Sequence, residues 1–125
     1  MCIKNNHACL HVKGGILFFK YKDHTHIGLR QAIEIVSARM QLQKGVSYPI
    51  LCDIRGIKVI DKDARRYLAK EGSLYSKAVA LIVDTPVSES ISNLFLKTNN
   101  PSVPTKIFKN EEEGLQFLES YKEHE

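Results

Sequence analysis

The start of the chain consists of two short apolar runs divided by a tight turn, followed by a helical pattern. Residues 9–12 and 16–21 are mostly apolar or aromatic, and the turn Lys-Gly-Gly at 13–15 separates them. Two β-rich runs divided by a Gly-Gly turn predict a β-hairpin. Residues 22–26 are polar and predict a loop.

The next segment, residues 29–43, has apolar side chains at the i, i+3, i+4, i+7 spacing of a core-facing helix. The predicted buried stripe consists of Leu29, Ala32, Ile33, Val36 and Met40. Gly45 follows at a position where helices commonly end.

Three further strands, each followed by a helix, complete the pattern. The strands are predicted from short apolar runs at residues 48–54, 77–84 and 104–108. The helices are predicted to begin after three N-cap residues, Asp61, Thr85 and Asn110. The helix that follows Thr85 is predicted to turn four apolar side chains inward and to end at the Asn-Asn-Pro sequence of residues 99–101; the four are Val87, Ile91, Leu94 and Phe95.

The resulting order is β-β-α-β-α-β-α-β-α, which predicts an α/β fold. Strands that alternate with helices imply a mostly parallel sheet, and the hairpin adds one antiparallel strand. We expect residues 1–125 to form a single domain with its core at about 8–122, because 125 residues suffice for one ordinary domain.

Composition and charge narrow the function classes. The chain is 43% hydrophobic and 26% charged, as in globular proteins, and its apolar runs are too short to span a bilayer. With no apolar signal segment at the start, we expect a cytoplasmic protein.

Residues 1–109 contain 17 Lys or Arg and 8 Asp or Glu, a net charge of +9. Such a basic body attracts nucleic acid, anionic lipid or acidic protein, but no RNA- or DNA-binding motif accompanies it, so no specific nucleic-acid binding is predicted.

The sequence contains no pattern for catalysis or metal binding. The cysteines Cys2, Cys9 and Cys52 and the histidines His7, His11, His24 and His26 lack the spacing of a metal site. Glycine-rich nucleotide loops and nucleophile motifs are also missing. We therefore expect a protein that is not an enzyme, with no catalytic residue, no cofactor and no metal.

The motif that suggests a family is residues 48–58 (YPILCDIRGIK) followed by residues 61–67 (DKDARRY). Together with residues 100–105 (NPSVPT) and 108–112 (FKNEE), and with the order of elements, it resembles the STAS domain, the SpoIIAA-like fold of anti-sigma-factor antagonists. The likeness is to a branch of STAS-like bacterial proteins without an assigned function.

The resemblance implies that the turn after the third strand faces a partner. In sigma-factor antagonists a kinase phosphorylates a hydroxyl in this turn. Here Arg55 occupies its place, and residues 49–66 contain no Ser, Thr or Tyr. The phosphorylation switch is therefore not carried over.

An exposed Arg55 favours an acidic protein partner, and an anion could also bind near the helix start. The candidate residues for partner or anion binding are Asp53, Arg55, Gly56, Lys58, Lys62 and Arg65. For Asp53, a purely structural role in the turn is the alternative.

The third predicted helix provides an apolar surface that suggests self-association. The third helix is apolar over more than one face, which predicts a homodimer through Val87, Ile91, Leu94, Phe95 and Leu96. From the resemblance and the lack of catalytic motifs, the leading hypothesis is a non-enzymatic STAS-like protein-interaction or regulatory module. The alternative is a lipid- or small apolar-ligand-binding domain, because CRAL-TRIO lipid-transfer domains have a similar fold.

Overall fold

The structure, a computed structural model, describes residues 3–4, 7–99 and 101–122, so Cys2 and Asn100 lie outside the described residues. Its strands are β1 (Ile3–Lys4), β2 (Ala8–Lys13), β3 (Ile16–Tyr21), β4 (Thr25–Ile27), β5 (Tyr48–Asp53), β6 (Ile57–Ile60), β7 (Ser76–Ile82) and β8 (Thr105–Phe108). Its helices are α1 (Leu29–Gln43), α2 (Lys62–Lys70), α3 (Pro86–Leu94) and α4 (Glu111–Glu119), with a π-helical segment (Phe95–Asn99) directly after α3. Each of these helices falls short of the length and apolar character needed to cross a bilayer.

The predicted hairpin is confirmed and depends on two glycines. Gly14 and Gly15 have φ angles of 60° and 80°, in the left-handed region. A two-residue turn with positive φ at both positions matches the twist of the strands that it joins. The register places Lys13 opposite Ile16.

A six-stranded sheet forms the centre of the fold, in the order β1-β2-β3-β5-β7-β8. The pairs β1–β2 and β2–β3 are antiparallel, and the remaining three are parallel. This arrangement confirms the predicted α/β class with a mostly parallel sheet and an antiparallel hairpin at the N-terminal side.

A second, two-stranded sheet was not predicted. Strand β4 pairs with β6 in parallel, and the backbone N–H of Asp61 donates to the carbonyl of Ile27 at 2.9 Å. The prediction of a loop over residues 22–26 is therefore wrong for Thr25 and His26. Each strand is too short to produce a periodic pattern, and each pairs with a partner about 30 residues away along the chain.

The helices cover the two faces of the main sheet unequally. One core cluster joins α1, α2 and α3 to the face that carries Leu17, Phe19, Ile50 and Leu81. The other cluster joins α4, through Leu118, to the opposite face, which carries Leu51, Ala80 and Ile82. Helix α4 lies so close to this face that a Cβ added at Gly114 would be 2.9 Å from methyl groups of Leu51 and Ile82.

The buried stripe of α1 differs from the prediction. Leu29 and Ile33 are 43% and 44% exposed, whereas the buried residues are Ala32, Ile35, Val36, Arg39 and Gln43. Burial of the polar end of this stripe is compensated because backbone carbonyls outside the helix accept its hydrogen bonds. The side-chain amide of Gln43, for example, donates to the carbonyls of Val46 and Tyr75 at 2.9 and 2.8 Å.

Helix α3 also presents an unexpected face to the core. Its fully buried residues are Ser88 and Ser92, while Val87 and Leu94, which were predicted to point inward, are 52% and 42% exposed. The cost of burying the Ser88 hydroxyl is offset because it accepts hydrogen bonds from the backbone N–H groups of Asp84 and Thr85 at 3.1 Å each.

Two of the three predicted helix caps are made by side chains. Thr85 Oγ1 accepts from the backbone N–H of Ser88 at 3.1 Å, and Asn110 Oδ1 accepts from that of Glu113 at 2.9 Å. Asp61 occupies the N-cap of α2 without such a bond. Its carboxylate lies 3.0 Å from Nε2 of His26 instead.

Candidate functional site

The turn after β5 contains a tightly paired Asp53 and Arg55. Asp53, the last residue of β5, is 3% exposed. Its carboxylate accepts from the Nε and Nη2 groups of Arg55 at 2.9 and 2.8 Å, and from the Arg55 backbone N–H at 3.0 Å. Both oxygens of the carboxylate are therefore satisfied by one neighbouring residue.

The pKa values of this pair follow from its geometry. Burial raises the pKa of Asp53, but the hydrogen bonds and charge of Arg55, with a contribution from Lys20, outweigh burial and hold it below its ordinary value. The hydrogen bonds to Asp53 raise the pKa of Arg55, and the negative charges of Asp84 and Glu111 act in the same direction. Arg55 Nη2 lies 4.0 Å from Oε1 of Glu111.

This geometry changes the interpretation of the turn. The side chain of Arg55 is 35% exposed and already neutralises a buried carboxylate, in a neighbourhood that contains two more acidic residues. It is not the free cation that binding of an acidic partner requires. The prediction that this turn binds a partner or an anion stays untested.

The other predicted residues of this site serve different parts of the structure. A Cβ added at Gly56 would lie 2.4 Å from the backbone oxygen of Lys22, so a close backbone approach requires glycine here. Arg65 is half-buried, and its Nη1 donates to the carbonyl of Ile60 at 3.3 Å. Lys58 and Lys62 are exposed, on β6 and at the start of α2. In the described part of the chain, Lys58, Lys62 and Arg65 form no ion pair with Asp53, in contrast to Arg55.

A pocket lies between the main sheet and the helices α1, α2 and α3, and its volume is about 110 Å³. The wall is largely apolar: its main contributors are Phe19, Ile35, Ile50, Leu68, Val79, Leu81, Ile91 and Phe95. Half-buried residues after α2 and before β8, among them Gly72, Pro101 and Val103, also line it. Phe95 begins the π-helical segment, and π-helical turns are rare and often occur at functional sites.

Polar side chains also belong to the wall of this pocket: Tyr21, Arg39, Cys52, Ser73, Ser92 and Thr105. Burial raises the pKa of the Cys52 thiol to about 12 and raises the pKa of Tyr21 well above its ordinary value, so both groups are neutral at pH 7. Arg39 and Ser92 are not among the site residues predicted from the sequence. A signal was present for Arg39, because it follows Ile35 and Val36 at the spacing of a buried helical stripe.

The residues predicted to form a dimer surface are divided between the pocket and the exterior. Ile91 and Phe95 line the pocket, whereas Val87 and Leu94 are exposed, and Leu96 is half-buried. The predicted surface is therefore not one continuous apolar patch. Dimerisation stays a prediction that now rests mainly on Val87 and Leu94.

Comparisons with known proteins give a family and a fold. Among solved structures, the chain is similar to an uncharacterized protein of the DUF3478 family with a SpoIIAA-like fold, from Shewanella loihica PV-4. The TM-score is 0.63 at 16% sequence identity, and the match covers 93% of this chain and 98% of the other. This likeness confirms the SpoIIAA-like fold that the sequence predicts. No curated protein matches the chain. A family model described as Domain of unknown function (DUF7793) matches residues 10–122, and the protein therefore belongs to the DUF7793 family.

Proposed function

We propose that the protein is a non-enzymatic binding module whose ligand is a small, mainly apolar molecule held in the pocket between the sheet and α1–α3. The observation that carries this proposal is the apolar pocket itself. Ligand sites are typically concave and apolar with a few polar groups, and this pocket has that character. A fold does not by itself imply a function, so the pocket is what supports this proposal.

The size of the pocket limits the ligand. Typical sites for drug-sized ligands have volumes of roughly 300–1,000 Å³, and an engineered cavity of roughly 150 Å³ accepts benzene. A volume of about 110 Å³ therefore favours a short acyl chain or a single ring over a two-chain lipid.

A variant that fills the pocket tests this function. Ile91 and Val87 lie one turn apart on α3, but Ile91 lines the pocket and Val87 is exposed. We expect Ile91→Phe to abolish the amide chemical-shift changes that six-carbon probes such as hexanoate and hexanamide cause in the wild-type protein. Val87→Phe is the matched control and should bind as the wild type does. If neither probe shifts the amides of pocket residues in the wild-type protein, the proposal is wrong.

A second candidate function is protein interaction, which the exposed apolar side chains of α3 favour. Val87 and Leu94 are the two large hydrophobic residues of this helix that remain exposed. Exposed apolar groups on a charged protein often mark contacts with another chain. Under this second proposal the helix binds a protein partner or another copy of the chain, whereas the turn at residues 53–56 has less support because Arg55 is paired internally.

A further inference from the structure

Arg39 is a buried cation on the wall of the pocket. It is 5% exposed, and its guanidinium is held by two neutral oxygen atoms. Nη1 donates to Oγ of Ser76 at 3.0 Å, and Nη2 donates to the carbonyl of Leu74 at 2.8 Å. Arginine is rarely buried to this degree unless an anion accompanies it.

No such anion is present among residues 7–99 and 101–122. Arg39 forms no ion pair with an acidic side chain in this part of the chain, whereas Arg30 and Arg55 each do. The titratable groups that affect Arg39 are Tyr21 and Cys52, and burial keeps both of them neutral at pH 7. Burial also lowers the pKa of Arg39 itself. A buried charge without a counter-ion is energetically costly.

Two unpaired polar atoms accompany this charge. Nε of Arg39 and Oγ of Ser92 are buried and have no hydrogen-bond partner within the described residues. Both side chains line the same pocket, and Ser92 is 1% exposed. Buried polar groups are nearly always hydrogen-bonded, so unpaired donors in two residues that line the same pocket point to a partner outside the chain.

We infer that the ligand of this pocket carries one acid group, a carboxylate, that serves as the counter-ion of Arg39 while its apolar part contacts Phe19, Leu81 and Phe95. This inference rests on the proposed function and adds the chemical class of the ligand. A carboxylate accepts from a guanidinium N–H in a short, charge-assisted bond, and the Ser92 hydroxyl is a second donor. One unpaired guanidinium donor and one hydroxyl suit a single negative charge better than a doubly charged phosphate.

Three probes of equal chain length test the inference in the wild-type protein. Hexanoate, hexanamide and hexylammonium are anionic, neutral and cationic, and NMR titration measures their dissociation constants. We expect hexanoate to bind at least about tenfold more tightly than hexanamide, because hydrogen bonds to charged groups are the stronger ones. Hexylammonium should bind most weakly. The preference for hexanoate should persist at about 0.5 M salt, because a buried pair is screened much less than surface charges.

Variants on α1 identify the cation responsible. Arg39→Gln should remove the preference for hexanoate over hexanamide. Arg30→Gln is the matched control, since it removes the same charge from an exposed position on the same helix, and it should keep the preference. If Arg39→Gln does not fold, Ser92→Ala provides the second variant, which should weaken hexanoate binding more than hexanamide binding.

The outcomes separate this inference from the proposed function. Equal affinities for hexanoate and hexanamide would overturn the inference and leave the apolar pocket as a binding site. A folded Arg39→Gln protein that still prefers hexanoate would also overturn it. Failure of both probes to bind the wild-type protein contradicts the proposed function as well.

Discussion

At the scale of single residues, Asp53 and Arg55 show how a polar motif can serve the fold. The two side chains lie two positions apart, and each neutralises the charge of the other. Because Asp53 is buried, its carboxylate depends on this pairing: removing one partner of a buried pair leaves the other charge uncompensated.

The first prediction concerns Arg55. Arg55→Glu places a carboxylate beside Asp53 and near Glu111, and we expect the free energy of unfolding to fall by about 1–3 kcal/mol. Urea denaturation measures this loss, and Arg55→Lys should lose less because it keeps the positive charge. Arg66→Glu, at an exposed position of α2, is the control for a change of net charge. If Arg55→Glu is as stable as the wild-type protein, Arg55 does not stabilise the fold through Asp53 and the prediction is wrong.

The second prediction concerns the pH dependence of stability. Because the pKa of Asp53 is lower in the folded protein than its ordinary value, ionised Asp53 stabilises the fold at pH values above about 4. This contribution disappears as the pH falls through the folded-state pKa. The difference in unfolding free energy between the wild-type protein and Asp53→Asn should therefore be constant near pH 7 and shrink below about pH 4. Asp23→Asn, at an exposed position between β3 and β4, is the control for the loss of one carboxylate.

At the scale of elements, α3 combines a well-satisfied serine with an unsatisfied one. Ser88 and Ser92 lie one turn apart, and both are buried. The Ser88 hydroxyl bonds to the backbone that leads into the helix, whereas Oγ of Ser92 has no partner among the described residues. Substitution by alanine should therefore destabilise the protein at Ser88 but not at Ser92.

The third prediction uses this pair. Ser92→Ala removes a buried, unpaired hydroxyl, so we expect stability in the absence of ligand to stay equal or to rise by about 1 kcal/mol. Ser88→Ala deletes the hydrogen bonds of the helix start and should lower the free energy of unfolding by about 1–2 kcal/mol. Thermal and urea denaturation of the two variants provide the measurement. Equal losses in both would mean that Ser92 has a structural partner.

Helix α1 also buries polar side chains, some of whose polar atoms are hydrogen-bonded within the described residues and some not. Its C-terminal half is polar on the buried side, because Arg39 and Gln43 hold the backbone carbonyls of Leu74 and Tyr75. The helix thus anchors the turn that leads into β7. Arg39, whose Nε is unpaired within the described residues, also lines the pocket.

At the scale of the whole molecule, the distribution of apolar and charged groups determines how the protein meets other molecules. The chain has a formal net charge of +4, and the basic residues lie almost entirely before residue 110. Large hydrophobic residues are nevertheless exposed on α3. A surface contact through this helix would cover them.

The fourth prediction is that this contact produces a homodimer. Light scattering at micromolar concentration should give about twice the 14.2 kDa of the chain. Leu94→Lys should shift the protein toward the monomer, because it places a charge in the contact. Leu74→Lys, which changes another exposed leucine outside α3, is the control. A wild-type mass of one chain at every concentration tested would contradict the prediction.

The sequence by itself determined the elements whose signals are local. The Gly14-Gly15 hairpin, the cap residues Thr85 and Asn110 and the order of the four helices and of the five longer predicted strands all follow from interactions within a few residues. Because connections between parallel strands have few allowed forms, this order was also enough to predict the α/β class, whereas the SpoIIAA-like fold was implied by the resemblance to the STAS domain.

Only the tertiary structure decided which polar groups would be buried and what they would contact. The burial of Arg39 depends on acceptors at Leu74 and Ser76, more than 30 residues away, and no periodic pattern encodes them. The pairing of β4 with β6 likewise joins segments that are too short to be recognised alone. Even Arg55, only two residues from Asp53, became a structural partner because the fold buries that carboxylate. The pocket results from such long-range packing, since α1, α3 and the sheet must assemble before its wall exists.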